Sequence, residues 1–116
     1  MEFILHITPR KDWEKGKATG VYRADSLKTE GFIHCSTPAQ VVKTANKFFK
    51  NQTDLLLLFI DSDKVESEII YDFVAVENQA FPHIYGNLNT DAVFKVIEFE
   101  PNENGLFEIP PEIQLG

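Results

Sequence analysis

The chain has 116 residues, a mass of 13.2 kDa and a formal net charge of −7. Hydrophobic residues make up 43% and charged residues 25%, which is typical of a globular domain and argues against a disordered chain. We therefore expect one domain over residues 1–116, ending in an irregular tail at 101–116 that packs on the surface. No apolar run has the length of a membrane-spanning helix, and the lone Cys35 favours a reducing cytoplasm.

The charge is unevenly distributed along the chain. The first 58 residues carry nine basic and six acidic side chains, whereas the remaining residues carry two basic and twelve acidic ones. Sequence-independent binding of nucleic acid needs a basic surface that releases counterions, so this composition argues against a bulk nucleic-acid partner. A small anionic ligand held by the N-terminal half remains compatible with it. The oligomeric state is left open, and no membrane partner is expected.

Apolar periodicity predicts the elements of the first third of the chain. Alternation over residues 2–8 predicts a strand. Thr8 followed by Pro9 has the pattern of an N-cap and a first helical position, so a short helix is expected next. Residues 21–29 are predicted to form a loop, and residues 31–36 a second short strand.

A second helix is predicted by the best local signal in the chain. Thr37-Pro38-Ala39-Gln40 has the pattern of a capping box, in which the Thr37 hydroxyl and the Gln40 side chain each satisfy a free backbone N–H. The helix is expected to continue to about residue 50. Its predicted core stripe consists of Val41, Val42, Ala45, Phe48 and Phe49.

The rest of the chain is predicted to be mostly strand. Residues 55–61 begin with six consecutive apolar residues, which suits a central strand buried on both faces. One helical turn is expected at 61–66, further strands at 68–76 and 93–100, and a turn or short helix at 90–92. Strands combined in this way with two early helices indicate an α+β domain.

Two segments share a plan that suits anion binding. In each, a histidine near the end of a strand is followed by hydroxyl residues and a helix start, where free N–H groups attract negative charge. Alternation places His6 beside Thr8, and His34 beside Ser36, with Thr37 directly after. If the two strands pair, both histidines border one cleft. The open alternative is that each histidine donates to a carbonyl and the threonines only cap helices.

A third histidine lies between a proline and a glycine. This segment, residues 81–86, is expected to present His83 and Tyr85 in a constrained conformation. Aromatic residues beside a histidine suit a flat ring such as nicotinamide or adenine, although they could equally anchor a long loop. The three histidines match no short metal motif, so no zinc site is expected. Cys35 is predicted to face the core, because adjacent strand residues point to opposite faces.

Taken together, these segments resemble one bacterial family, the domain of unknown function 952, over about residues 3–100. The matching features are His6, Trp13, Gly31-Phe32-Ile33-His34-x-Ser36, Gln40…Thr44-Ala45, Asp54-Leu55…Leu57-Leu58 and Phe81-Pro82-His83-Ile84-Tyr85-Gly86-x-Leu88. That family is grouped with the ADP-ribosyltransferase-like fold, in which a split pair of small sheets holds NAD in a cleft. The resemblance implies a single α+β domain with a split or strongly bent antiparallel sheet and two N-terminal helices.

The resemblance also implies roles for individual residues. His6 would contact the nucleotide part of NAD, and residues 31–37 would line the nicotinamide pocket. Asp72 would be the acid that stabilises an oxocarbenium-like transition state, where many relatives carry the longer Glu. The predicted catalytic residues are His34, Asp72 and His83. The predicted ligand contacts are His6, Thr8, Tyr22, Arg23, His34, Ser36, Thr37, His83 and Tyr85.

The functional hypothesis is a small domain that binds NAD, ADP-ribose or a related phosphate-bearing molecule in a histidine-lined cleft. NAD enters it as a substrate rather than a resident cofactor, and the chemistry would be ADP-ribosyl transfer or cleavage of a glycosidic bond. The alternative is a non-enzymatic ligand-binding or protein-interaction module on the same fold, because a fold does not determine a function.

Overall fold

The strands of the protein form three small antiparallel sheets. The computed structural model describes residues 2–113. The first sheet, ordered β1-β4-β8, contains β1 (Phe3–Pro9), β4 (Leu55–Asp61) and β8 (Val93–Glu98). The second pairs β2 (Val21–Tyr22) with β7 (Leu88–Asn89). The third, ordered β3-β6-β5, contains β3 (Ile33–His34), β5 (Glu68–Val74) and β6 (Gln79–Tyr85).

Helices occupy the first half of the chain. They are α1 (Arg10–Thr19), α2 (Ser26–Thr29) and α3 (Val41–Phe48). Single 3-10 turns follow at Ser62–Lys64, Ala75–Glu77 and Thr90–Ala92. None of the helices within residues 2–113 is long and apolar enough to cross a membrane. A single α+β domain with antiparallel sheets is the predicted class, and the structure confirms it.

Strand β4 separates two hydrophobic cores. It pairs with β1 on one side and with β8 on the other, and its successive side chains point alternately to the two faces of the sheet. Leu56, Leu58 and Ile60 belong to one core, which also contains Trp13, Tyr22, Ile84 and Leu88. Leu55, Leu57 and Phe59 belong to the other, which α3 covers with Val41 and Ala45. The prediction of a central strand buried on both faces is confirmed.

A seam joins the first sheet to the third. Leu5 of β1 and Ser36 exchange backbone hydrogen bonds, each 2.8 Å long. One residue earlier, the Cys35 N–H donates to the carbonyl of Pro82 in β6 at 3.1 Å. The chain therefore leaves one sheet and joins the other within two residues. This is the pairing expected for the two histidine-bearing segments, although β3 itself is shorter than the predicted strand over 31–36.

The start of α1 differs from the prediction. Pro9 is the last residue of β1 and pairs with Leu55, so the helix begins at Arg10 rather than at the proline. Thr8 does not cap the helix, because its fully buried hydroxyl bonds to Tyr22 instead. The predicted loop over 21–29 contains β2 and α2, whose pairing and packing partners are distant in sequence.

The predicted capping box forms only in part. Gln40 Oε1 accepts a hydrogen bond from the Thr37 N–H at 3.0 Å, as expected. Among the bonds of residues 2–113, however, the Thr37 hydroxyl does not return one, and residues 37–40 form a turn before α3 begins. Gln40 Nε2 instead donates to the Ala80 carbonyl at 2.9 Å and so fixes the start of α3 against β6.

Two further predictions need correction. The predicted core stripe of α3 includes Phe48, but this side chain is 62% exposed, because α3 ends there after only two turns. Residues 81–86 are predicted as a constrained segment with no strand assigned, yet 81–85 belong to β6, the central strand of the third sheet. Pro82 is tolerated inside β6 because its missing N–H would face β3, where the ladder ends.

The tail is irregular as predicted over residues 101–113, but part of it is buried. Phe107 and Ile113 belong to the second core, and Phe107 packs against Phe99 with ring centroids 4.7 Å apart. The side chain of Asn46 bonds both to the N–H of Phe107, at 2.6 Å, and to its carbonyl, at 3.1 Å. The tail is therefore a structural part of the domain, and residues 114–116 lie outside the described part.

Replacing Phe107 with alanine should lower the free energy of unfolding by about 3 kcal/mol or more, because it empties a filled position of the core. The neighbouring Leu106 is 38% exposed, so Leu106→Ala should cost only about 0.5 kcal/mol. Equilibrium unfolding in urea measures both values. Equal effects would contradict the structural role of the tail.

Candidate functional site

A cavity of about 480 Å³ lies between β1, α3 and the third sheet. This volume is within the range of small-molecule binding sites. Its walls are mostly apolar and include the aromatic rings of Phe32, Phe48 and Phe81. The polar side chains that line it are His6, Ser26, Glu30, His34, Ser36, Thr44, Lys47, Glu77 and His83.

His83 is held in one orientation by a carboxylate. Its Nδ1 lies 2.7 Å from Asp72 Oδ2, and its ring stacks on Phe32 with centroids 4.0 Å apart. Since the ionised carboxylate only accepts, Nδ1–H is the donor, and Nε2 is left as the free nitrogen of a buried side chain that lines the cavity. A histidine oriented in this way is the usual arrangement of a general base.

Asp72 remains ionised in this arrangement. The Tyr85 hydroxyl and His83 both donate to the same oxygen, Oδ2, and these bonds lower the pKa of the Asp72 carboxyl. The sheet register explains how the three meet. Asp72 pairs with Phe81, and the side chains two and four residues further along β6 are those of His83 and Tyr85. All of them therefore point to one face of the sheet.

A second histidine–carboxylate pair lies beside the first. His34 faces His83 across the β3–β6 pairing, and the two ring centroids are 5.3 Å apart. His34 Nε2 lies 2.9 Å from Glu30 Oε2, and both side chains are about half exposed. The cavity wall thus carries two adjacent imidazoles, each with one nitrogen bonded to its own carboxylate. Sequence reasoning found both histidines but missed Glu30.

His6 is a structural link. Its Nδ1 lies 2.6 Å from the carbonyl of His34, which can only accept, and its Nε2 lies 2.7 Å from the Tyr22 hydroxyl. The same hydroxyl bonds to Thr8 Oγ1 at 2.9 Å. Burial lowers the pKa of His6 to about 4 and raises that of Tyr22. Both nitrogens of a neutral ring are thus engaged inside the protein, although His6 is one of the residues that line the cavity.

The other predicted ligand residues lie away from the cavity lining. Arg23 donates to Asn87 Oδ1 at 3.1 Å and lines a separate, smaller pocket. Thr37 lies in the turn that precedes α3, whereas the cavity is lined by the side of that helix at Thr44 and Lys47. Of the predicted site residues, the structure brings His6, His34, Ser36 and His83 to the cavity. It places Asp72 and Tyr85 behind His83 and leaves Thr8, Tyr22, Arg23 and Thr37 outside the lining.

An ion pair at the cavity went unnoticed in the sequence. Lys47 of α3 bonds to Glu77, which lies in the turn between β5 and β6. The two elements are far apart in sequence, so no local pattern signals the pair.

The structure gives no support to a cysteine nucleophile. Cys35 is buried, and this burial raises the pKa of its thiol. Within residues 2–113, no group of three or more His, Cys, Asp or Glu is arranged to hold a metal ion.

The fold and the cavity define a small α+β domain with a histidine-lined pocket at the seam between two sheets. The model of the family described as protein of unknown function DUF952 matches residues 7–96. The chain belongs to this family, as its histidine segments suggest.

Solved structures share the fold over almost the whole chain. In the crystal structure of CC0527 from Caulobacter crescentus, the match has a TM-score of 0.88 and 25% identity, covering 97% of this chain and 99% of that one. The solution NMR structure of CC0527 matches with a TM-score of 0.83 and 26% identity over 100% of both chains. No curated protein matches the chain.

The buried His6 should make the protein acid-sensitive. Its pKa is about 4 in the folded state against an ordinary 6.5, so the unfolded chain takes up the proton first as the pH falls. Stability from this group is complete above pH 6.5, declines below it and falls by about 3 kcal/mol by pH 4. Urea unfolding measured across this pH window tests it.

Two glutamine variants make this test specific. His6→Gln removes the titrating ring and should flatten this part of the pH dependence, whereas His34→Gln, at a half-exposed histidine, should leave it in place. An unchanged pH slope in His6→Gln would contradict the assignment.

Proposed function

We propose that the cavity binds a small molecule with a flat ring and an anionic group, such as NAD, ADP-ribose or a related phosphate-bearing compound. We further propose that it does so on an ADP-ribosyltransferase-like fold and that bound NAD is a substrate. The observation that carries the proposal is the buried His83, which lines a mostly apolar cavity with aromatic walls and whose Nδ1 is held by Asp72. The open cavity beside the seam between two sheets supports the fold assignment.

The aromatic walls support recognition of a ring. Phe32, Phe48 and Phe81 line the cavity, and Phe48 is exposed where a core residue would be covered. Flat aromatic ligands gain both apolar burial and ring–ring contacts from such walls. The exposure of Phe48 is consistent with a side chain that a ligand covers.

Lys47 supports recognition of the anionic group. Among the described residues that line the cavity, it is the only lysine or arginine. Its partner Glu77 already offers it a carboxylate, and the flexible lysine stem allows a phosphate to take that place. The half-exposed His34 offers a further donor among the residues that line the cavity.

The histidine pairs support chemistry on the bound molecule. In the proposed step, the C1′–N bond of NAD breaks and its electron pair leaves with nicotinamide. The oxygen of water or of an acceptor hydroxyl bonds to C1′, and its proton passes to His83 Nε2. Asp72 then stabilises the imidazolium that forms, so we assign it a positioning role through His83. His34 and Ser36 would contact the substrate from the adjoining segment.

Backbone amide NMR titration with NAD, ADP-ribose and inorganic phosphate in parallel tests the binding site. We expect saturable shifts at residues 32–36, 44–48 and 81–83, because these segments line the cavity. Lys47→Met should weaken the response to phosphate and ADP-ribose. Lys43→Met, at an exposed position of α3 outside the lining, should not. The absence of any shift at millimolar ligand would overturn the proposal.

The proposed chemistry predicts a split between binding and turnover. Asp72→Asn should retain the NAD-induced shifts but lower the rate of nicotinamide release by on the order of a hundredfold, because His83 loses its carboxylate. Asp63→Asn, at an exposed turn, serves as the control. If the wild-type protein binds NAD without releasing nicotinamide, the catalytic part is refuted and a binding module is assigned instead.

A further inference from the structure

Strand β5 has an open edge. It pairs with β6 on one side, and no strand within residues 2–113 pairs with its other side. Edge strands of this length are normally protected by lysine, proline, a bulge or a cover. β5 contains neither lysine nor proline and pairs with β6 in continuous register. Ile70, Tyr71 and Phe73 are 37%, 53% and 66% exposed, so the strand exposes large apolar side chains. Its charged residues are Glu68, at the end of the strand, and Asp72, which is bonded to His83 and Tyr85.

The sheet register shows which backbone groups the edge presents. The carbonyl of Pro82 accepts a bond from Cys35, so the backbone of Pro82 faces β3. Tyr71 is paired with Pro82, and in an antiparallel pair of this kind both backbones point away from each other. The N–H and carbonyl of Tyr71 therefore point to the open edge. Those of Ile69 and Phe73 do so as well, because the pattern alternates.

We propose that β5 pairs with β5 of a second copy of this chain, antiparallel and about a two-fold axis at Tyr71. The two three-stranded sheets would then form one continuous sheet. This interaction goes beyond the proposed ligand site and does not depend on it. A two-fold contact of this kind is self-complementary and closes after two copies, so both open β5 edges are covered at once.

The sequence of β5 supports a second copy as the occupant. In the two-fold register Tyr71 faces its own counterpart and Ile69 faces Phe73, so one face of the joint consists entirely of apolar pairs. On the other face Ile70 lies opposite Asp72. Glu68 and Val74, the two ends of the strand, also face each other. No two like charges are directly opposite, and facing aromatic and apolar pairs stabilise a sheet.

Sedimentation equilibrium of the full chain from micromolar to millimolar concentration tests the proposal. We expect a reversible monomer–dimer equilibrium, and we expect Phe73→Lys to weaken it by roughly tenfold or more, since the charge would oppose Ile69. Ile109→Lys is the matched control, because Ile109 is also apolar and 45% exposed but lies in the tail. Circular dichroism verifies that both variants are folded.

Hydrogen exchange provides a second, backbone-level measurement on the wild-type protein. The amides of Ile69, Tyr71 and Phe73 should become protected as concentration rises, because only they point to the joint. A chain that stays monomeric throughout would overturn the proposal. So would a dimer in which these three amides remain unprotected, or one that Phe73→Lys and Ile109→Lys weaken equally. None of these outcomes bears on ligand binding, which is tested separately.

Discussion

The cavity depends on the seam at which the chain passes from the third sheet to the first. Leu5 and Ser36 form the backbone bridge between the sheets. The His6 side chain stabilises this bridge by donating a hydrogen bond to the carbonyl of His34. The Tyr22 hydroxyl completes the link by bonding His6 and Thr8. Because these polar groups are buried, each bond replaces hydration lost on folding, and a missing partner would cost about 1–3 kcal/mol. The position of His34 on the cavity wall follows directly from this link.

The three histidines fall into two groups: one is a structural residue, and two line the cavity. His6 is buried, neutral and fully bonded, so it holds the backbone that carries the site. His34 and His83 each bond one carboxylate and line the cavity with the rest of the ring. Sequence patterns treated the three alike, because a histidine near a strand end looks the same whether its partners come from the protein or from a ligand. Burial and register separate the two groups.

Local patterns predicted what local forces determine. The apolar run that forms β4 was recognised because it needs only two covered faces, and the Gln40 bond to Thr37 was recognised because both lie within one turn. The features that the sequence did not predict are contacts between residues far apart in the chain. The Lys47–Glu77 pair, the pairing of β2 with β7 and the burial of Phe107 all depend on tertiary packing. The family resemblance compensated for part of this, since it correctly grouped the histidine segments.

Pro82 removes one backbone hydrogen bond from the pairing between β3 and β6. The Pro82 carbonyl accepts a hydrogen bond from the Cys35 N–H, but proline has no N–H to donate to the Cys35 carbonyl in return. The β3–β6 ladder ends here, next to the pair His34–His83. The next residue along the chain, Ser36, pairs with Leu5 of β1 instead. At position 82 an N–H would face the Cys35 carbonyl, so proline leaves that pair with one hydrogen bond instead of two. Pro82 therefore marks the point in β6 where the β3–β6 ladder ends, and the chain reaches the Leu5–Ser36 bridge to the first sheet one residue later.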